Sequence, residues 1–311
     1  MKRKALILLN LVFIISFLCA VSTVSAKINF CRKTSQAALQ SCKAAAQSDY
    51  SLALGRCDNL SDPAAVKACQ QQASADKKDA LKTCDAQYDA RQAVCQRLGG
   101  APYDPAIDPN NFVATIDNPY FPLTPGTTFV YESQAAQGLE HNEVFVTTNT
   151  KVILGVTCIE VRDRDWINGV LTEDTRDWYA QDKAGNVWYF GENANQLADG
   201  LIVGVEGSWT GGVDGAKPGI IMKAHPAIGD FYRQEFSLGT AEDMAEVLSL
   251  TESVPASYCS SGNCLKTKET SPLEPDALEN KYYALGVGNV RTVDLVTNEI
   301  LDLISVTPPS P

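Results

Sequence analysis

The chain has 311 residues and a formal net charge of −11, with 37 acidic and 26 basic residues. Proteins bind nucleic acids largely through lysine and arginine contacts to phosphate, so this charge argues against a nucleic-acid partner. The ten cysteines fit an oxidising compartment outside the cytosol.

The first 26 residues have the pattern of an export signal. A basic start and an apolar stretch over residues 5–18 lead to small residues that end at Ala26. This pattern predicts cleavage before Lys27, and the apolar stretch is too short for a permanent membrane span. Lipidation at Cys19 is disfavoured because Leu18 precedes it where a small residue is required. We therefore expect a periplasmic or extracellular protein with a mature net charge of about −14, since the signal carries three positive charges.

Six cysteines between residues 31 and 95 are placed symmetrically about Pro63. Their spacings of eleven and fifteen residues are close to three and four helical turns, so each set of three lies on one helix face. A chain folded back at Pro63 predicts two antiparallel helices joined by three nested disulfides, Cys31 with Cys95, Cys42 with Cys84, and Cys57 with Cys69. A metal or redox cluster is disfavoured because no Cys-x-x-Cys spacing occurs.

The ends of both helices carry recognisable signals. The segment from Asn59 to Pro63 contains a helix stop, an N-cap at Asp62 and a proline at the first helical position. Gly99 ends the second helix. Numerous alanines between the cysteines permit the close helix approach that disulfides need.

The rest of the chain divides by composition. Residues 27–100 are assigned to the hairpin, 101–126 to an extended strap rich in proline and aromatic residues, 127–306 to an antiparallel β domain, and 307–311 to a tail. Alternating and β-branched residues predict strands at 129–131, 144–148, 151–162, 170–180, 187–190, 231–236, 246–254, 281–283, 288–295 and 300–306.

The clearest predicted β-hairpin turns at Asn168 and Gly169, a dipeptide suited to a two-residue turn. Its simplest register places Arg164 opposite Glu173, and it places Ile159 and Trp178 on the same face. In that register the arginines neutralise the dense carboxylates of this hairpin across the strands. We prefer this reading to paired catalytic carboxylates or a calcium site.

Three motifs of the β domain resemble a widespread group of uncharacterised secreted bacterial proteins. They are Pro119-Tyr120-Phe121-Pro122-Leu123 with the following Pro125-Gly126, Asp177-Trp178-Tyr179-Ala180-Gln181-Asp182, and Lys281-Tyr282-Tyr283-Ala284 followed by Gly286-Val287-Gly288. Leu285 stands where the group usually has proline. The resemblance implies a curved antiparallel sheet, a half-barrel like that of envelope lipoprotein and lipid carriers. Any lipid-carrier function would rest on analogy of fold.

The sequence therefore predicts an α+β protein, with a disulfide-linked antiparallel α-hairpin followed by an antiparallel curved sheet or half-barrel. The leading functional hypothesis is a non-enzymatic exported protein that binds an apolar small molecule or lipid on the concave sheet. The expected ligand-binding residues are aromatic: Trp178, Trp188, Tyr189, Trp209 and Tyr232.

Two other functional classes stay open. One is a structural or assembly protein whose hairpin contacts copies of itself or another envelope protein. The other, ranked last, is a carboxylate-based hydrolase. No catalytic motif, cofactor motif or metal site is recognisable, and only two histidines occur. The glycine-rich segment 200–219 predicts a long loop that could act as a lid over the sheet.

Three cysteines follow the hairpin. Cys259 and Cys264 enclose a turn-forming sequence and are expected to bond to each other, which leaves Cys158 as a buried thiol. The alternative pairs Cys158 with Cys264.

Overall fold

The computed structural model describes residues 29–309, so the predicted export signal lies outside the described part of the chain. Two helices come first, α1 over Phe30–Asp58 and α2 over Pro63–Leu98. Asp62 caps α2 as predicted, because its carboxylate accepts hydrogen bonds from the backbone N–H groups of Ala64 and Ala65. Within residues 29–309, no helix combines the length and apolar character needed to cross a membrane.

Three nested disulfides join the two helices and confirm the predicted pairing. Cys31 bonds to Cys95, Cys42 to Cys84, and Cys57 to Cys69, with Cα–Cα distances of 5.6, 5.7 and 5.5 Å. The nearly constant separation shows that the helices run side by side over the whole length of the hairpin.

The two later cysteines of the expected turn, Cys259 and Cys264, also bond to each other. Cys158 is buried and unpaired, which agrees with the preferred alternative.

The described residues after the hairpin form one antiparallel sheet of short and long strands. In chain order these are β1 Phe112–Val113, β2 Thr128–Ala135, β3 Gly138–Ile153, β4 Val156–Ile167, β5 Val170–Asp182, β6 Val187–Asn193, β7 Gln196–Ala198, β8 Leu201–Gly204, β9 Trp209–Thr210, β10 Lys217–Met222, β11 Phe231–Arg233, β12 Glu235–Phe236, β13 Met244–Glu252, β14 Cys264–Ser271, β15 Glu274–Ala284, β16 Gly288–Asp294 and β17 Ile300–Thr307.

The sheet curves until its two ends meet. Most neighbours in the sheet are neighbours in the chain, and β17 returns to pair with β2. The short strands β11 and β12 connect the two ends, which are β13 and β6. Strand β11 pairs with β13 at one end. Strand β12 pairs with β10, which in turn pairs with β6 at the other end. The predicted antiparallel curved sheet is therefore confirmed, and its curvature encloses an inner side.

Several strand boundaries differ from the prediction. The expected strand 151–162 is interrupted by a turn at Leu154 and Gly155, both of which have positive φ, so β3 ends at Ile153 and β4 begins at Val156. The short strands β1, β7, β8 and β9 and the longer strands β10 and β14 were not predicted. The glycine-rich segment 200–219 is not one long loop, since it contains β8, β9 and the start of β10.

The β4–β5 hairpin turns at Asn168 and Gly169 as predicted, but its register was predicted wrongly. Trp166 lies opposite Leu171, and a bulge then places Asp165 opposite Glu173, so Thr172 is the extra residue. Beyond a bulge every pair shifts by one residue, which moves partners to the other face.

The shift separates side chains that were expected to lie together. Arg164 pairs with Asp174 rather than Glu173, and Trp178 lies opposite Glu160. Ile159 belongs to the main core, whereas Trp178 lies in a second cluster with Phe190.

The strap packs on both sides of the curved sheet. Ile107 and Phe112 cover the second cluster on the outer side, where the Phe112 ring meets the Phe190 ring at 5.5 Å. Further along, Phe121 and Leu123 reach the inner side. The segment is thus anchored by its aromatic residues.

Helix α2 docks against the sheet through arginines. The Arg91 guanidinium donates to both carboxylate oxygens of Glu242 at 2.8 to 3.1 Å, and the side chains of this pair are only 5% and 1% exposed. Nearer the surface, Arg97 makes a bidentate pair with Glu246 at 2.7 Å. Two ion pairs of different burial therefore join the hairpin to the β domain.

Candidate functional site

A cavity of about 350 Å³ lies on the inner side of the curved sheet. Its lining comes from β2 to β5 on one side and from β15 to β17 on the other, with contributions from the strap and β10. The apolar part of the wall consists of Phe121, Leu123, Val144, Val161, Ile221 and Leu301. The cavity exists because the sheet curls far enough to bring these strands face to face.

Carboxyl groups line the same cavity. They are Glu140, Asp163, Asp165, Asp177 and Glu279. Among the described residues that line the cavity there is no arginine, and Lys281 is the one basic side chain. The lining is therefore apolar on one part of its surface and strongly acidic on another.

Alternation along β4 places the arginines on the other face, and the bulge in β5 keeps Asp177 away from them. Arg162 forms a bidentate pair with Asp174 at 2.7 Å, and Arg164 pairs with Glu143. Side chains alternate between the two faces of a strand, so these residues lie on the outer face while Asp163 points inward. The predicted neutralisation across the strands applies only to the outer face.

Asn142 on β3 bridges two of the inner carboxyl groups. Its side-chain amide donates to Asp163 at 2.5 Å and to Asp165 at 2.7 Å. Burial, together with the neighbouring charges of Asp165 and Asp177, raises the pKa of Asp163 well above its ordinary value. The pKa of Asp165 is also raised, mainly by burial, although the Asn142 bond opposes the rise.

A second carboxyl pair is held by Tyr189. Its hydroxyl lies 2.5 Å from Asp177 and 3.1 Å from Glu192. A tyrosine hydroxyl has one hydrogen to donate, so one of the two carboxyl groups must be protonated to complete both bonds. Burial raises the pKa of Asp177 to about 8 and that of Glu192 to about 7, which fits a shared proton near neutral pH.

A neighbouring cavity of about 290 Å³ continues the acidic surface. It shares Glu279 and Lys281 with the first cavity and adds the acidic residues Glu192, Glu235, Asp243, Glu269 and Glu274. Lys281 lies 2.8 Å from Glu269 and 3.7 Å from Glu279. Burial opposes the charge of Lys281, but the two glutamates raise its pKa well above the ordinary value. One lysine therefore stands between two sets of carboxyl groups.

Two of the predicted ligand-binding aromatics lie on the outer side of the sheet. Trp178 is buried in the second cluster with Phe190. The Trp188 indole N–H donates to Asp182 at 2.9 Å, and its ring packs on Phe112 under the strap. Neither residue lines the inner cavities.

The other three predicted aromatics lie on the inner side but in different places. The Tyr189 ring stacks on Tyr179 with centroids 4.8 Å apart, and Tyr179 lines the larger cavity. Trp209 meets the Tyr189 ring edge-on and donates its indole N–H to Glu235 at 2.7 Å. Tyr232 is buried in the main core. The five residues do not form one site, and their role in ligand binding stays a prediction.

The inner carboxyl groups were the residues that sequence reasoning misjudged. Asp163 and Asp165 alternate along β4, and that period is the signal that they share a face; Asp177 joins them only through the bulged register of β5. The pattern did not show whether this face is inside or outside. In residues 29–309, no three acidic, histidine or cysteine side chains are grouped closely enough to hold a metal ion.

Comparisons with known proteins add a single distant similarity. No protein-family model matches the chain, and no curated protein matches it at a significant level. Among solved structures, the crystal structure of a "putative lipoprotein" from Parabacteroides distasonis is similar, with 12% sequence identity and a TM-score of 0.31 over 60% of this chain and 98% of that chain. A similarity this low carries no argument about function, so the resemblance to envelope carriers stays a prediction.

Proposed function

We propose that this is an exported binding protein that holds a compact organic molecule with a cationic group and an apolar body inside its curved sheet. The observation that carries the proposal is the larger cavity, where an apolar wall faces carboxyl groups that have no arginine partner among the described residues. The proposal keeps the binding role predicted from the sequence and changes the chemistry of the expected ligand.

The cavity wall is a poor match for a purely apolar ligand. A hydrocarbon in contact with Asp163, Asp165 and Asp177 would bury these carboxyl groups without new hydrogen-bond partners, which is unfavourable. A protonated amine would supply charge-assisted hydrogen bonds to the same groups, while the apolar wall accepts the rest of the molecule.

Cavity size favours a small ligand. A volume of about 350 Å³ lies near the lower end of the roughly 300–1,000 Å³ that is typical of small-molecule sites. A lipid with two long acyl chains is much larger than this space. The ligand we propose is therefore a compact amphiphilic amine.

The disulfides support export to an oxidising compartment. Disulfides persist outside the cytosol, and the described residues contain four of them. This agrees with the export signal predicted for residues 1–26.

Native mass spectrometry of the mature protein, purified gently from its own producing cells, tests the proposal. A parallel denatured, non-reduced sample gives the mass of the bare chain. We expect an excess mass that is lost on denaturation and that belongs to an amine. A bare monomer contradicts the binding function, and a bound neutral lipid contradicts the proposed ligand class.

Matched variants test the location of the ligand. Asp163→Asn removes one inner carboxyl group, and Asp174→Asn removes an outer carboxylate that pairs with Arg162 on the same β-hairpin. We expect Asp163→Asn to lose the excess mass and Asp174→Asn to retain it. Equal retention by both variants would show that the ligand lies outside the cavity.

A carboxylate-based hydrolase is the second candidate, and one specific observation favours it. Asp177, with its pKa raised to about 8 by burial, can hold a proton at neutral pH beside other carboxyl groups, as a general acid must. Hydrolysis of nitrophenyl glycosides or esters that is abolished by Asp177→Asn would support this candidate. Absence of turnover across both substrate classes would leave binding as the function.

The assembly role of the hairpin lacks a comparable observation. Within residues 29–100, its large exposed apolar side chains are Phe30, Leu52, Leu60 and Leu98. They lie near the two ends of the hairpin and do not form a continuous stripe, which is what a long helical interface would require.

A further inference from the structure

The β7–β8 hairpin exposes an unusual run of apolar side chains. Leu201, Ile202, Val203 and Val205 are 69%, 60%, 66% and 57% exposed. Successive side chains of a strand point to opposite faces, so both faces of β8 are apolar and open to solvent. Isolated exposed apolar residues are common on proteins, whereas a contiguous run marks an interaction surface.

The backbone of β8 is open as well. Within the described residues β8 pairs only with β7, across a two-residue turn at Asp199 and Gly200 where both residues have positive φ. Its far edge therefore presents unpaired N–H and C=O groups. Natural edge strands are normally protected by charges, prolines or bulges because such an edge pairs readily with another strand.

Hydrogen bonds hold this hairpin in a defined position. The Gln196 side-chain amide donates to the Glu206 carbonyl at 3.2 Å, and the Glu206 backbone N–H donates back to the Gln196 side chain at 3.1 Å. The base of β7–β8 is thereby closed. The apolar edge is presented by a formed strand and needs little ordering when it binds.

Charge identifies the occupant that fits this edge. Residues 184–216 contain no lysine, arginine or histidine, whereas Asp199 and Glu206 flank the apolar run. Antiparallel pairing of β8 with a second copy, centred between Ile202 and Val203, would place Asp199 opposite Glu206 at both ends, and like charges in register are destabilising. An anionic membrane surface is disfavoured for the same reason, since it attracts basic segments.

We propose that β8 is a docking edge for an extended segment of another exported protein, with an apolar centre flanked by lysine or arginine residues. The segment adds to the sheet as a further antiparallel strand beside β8. Main-chain hydrogen bonds provide affinity, and the basic flanks pair with Asp199 and Glu206. This site is separate from the inner cavity and does not depend on the function proposed for it.

A synthetic peptide tests the proposal on the mature protein. The probe is a capped Lys-Thr-Val-Ile-Val-Thr-Lys peptide, and the control is the same core flanked by glutamates. We expect the lysine peptide to bind, to slow hydrogen exchange at residues 201–204, and to bind at least tenfold more tightly than the glutamate peptide. Failure of the lysine peptide to bind, or equal binding of both peptides, would overturn the proposal.

A matched pair of variants completes the test. Ile202→Lys places a like charge at the docking edge, and Ile228→Lys changes an isolated side chain of similar exposure, 68% against 60%. We expect at least a tenfold loss of peptide affinity for Ile202→Lys and no change for Ile228→Lys. Equal affinities in the two variants, a dimer of the wild-type protein that Ile202→Lys dissociates, or vesicle binding that Ile202→Lys abolishes would each contradict the assignment.

Discussion

The α-hairpin and the curved sheet are ordered by different physical means. Helix α1 buries only Ser35, Ala46 and Cys57, so it has almost no apolar core of its own, and three disulfides join it to α2. The sheet instead packs a large cluster of buried apolar side chains, with Val146, Leu265 and Val290 fully enclosed. The hairpin is thus stabilised mainly by disulfides that restrict its unfolded chain, and the sheet is stabilised mainly by burial of apolar side chains.

The largest effect is expected from removing the hairpin disulfides. A variant with all six hairpin cysteines replaced by alanine should lose most of its helical circular dichroism while the sheet retains a cooperative thermal transition. Each such disulfide contributes about 2–4 kcal/mol, and the hairpin has little apolar burial to offset the loss. Cys158→Ala, which removes an unpaired cysteine of the sheet, is the control and should retain the helices. Retention of full helicity in the six-alanine variant would show that the hairpin does not depend on its disulfides.

The next effect concerns the buried ion pair that connects the two regions. Arg91→Ala leaves the Glu242 carboxylate buried without its partner, so we expect a loss of about 3–5 kcal/mol in the free energy of unfolding. Arg97→Ala breaks the more exposed pair with Glu246 and should lose about 1 kcal/mol or less. Denaturant titration measures both. Similar losses in the two variants would show that the burial of an ion pair does not determine how much it contributes to the free energy of unfolding.

An intermediate effect is expected at Asp177 on the inner side of the sheet. Burial raises its pKa from 3.8 to about 8, so the folded state keeps a proton that the unfolded state releases. Stability is therefore full below about pH 4 and falls as pH rises towards 8, because one pKa unit corresponds to about 1.4 kcal/mol. Asp177→Asn should remove this fall and stabilise the protein by about 2 kcal/mol or more at pH 8, as measured by thermal or denaturant unfolding.

The outer face provides the opposite control. The hydrogen bond from Arg162 lowers the pKa of Asp174, so the stability from this pair is present above the ordinary carboxyl pKa and is lost as pH falls. Asp174→Asn should therefore destabilise at neutral pH, by about 1 kcal/mol or less. If both variants shift stability in the same direction, the assignment of the two faces is wrong.

The smallest effect is expected at a surface ion pair of the hairpin. Lys43 lies 2.7 Å from Asp85 in the middle of the helices, and both side chains are largely exposed. Lys43→Ala should change the free energy of unfolding by less than about 0.5 kcal/mol, since exposed pairs contribute little. A larger loss in urea titration would mean that charge, as well as disulfides, holds the hairpin together.

Local signals predicted the hairpin well because its determinants lie in the sequence itself. Cysteine spacing, the cap at Asp62 and the stop at Gly99 each depend on a few neighbouring residues. The turn at Asn168 and Gly169 was correctly placed for the same reason. The turn at Leu154 and Gly155 was missed because leucine is not a typical residue for positive φ.

The inner cavity could not be predicted from the same kind of signal. A bulge at Thr172 decides which face of β5 carries Asp177, and the strand pattern without that bulge assigns its partners wrongly. Lys281 and Glu279 reach the same cavity from strand β15, more than a hundred residues further along the chain, through closure of the sheet. A local sequence pattern does not show which residues so far apart in the chain will meet.

The sequence by itself determined the disulfide-joined hairpin and the antiparallel class of the β domain, because covalent spacing and side-chain period are local properties. Only the tertiary structure decided which carboxyl groups face inward, that no arginine of residues 29–309 accompanies them in the cavity, and that β8 is left as an open apolar edge. Those features depend on a one-residue register shift and on the curling of the whole sheet, which are set by packing between distant strands.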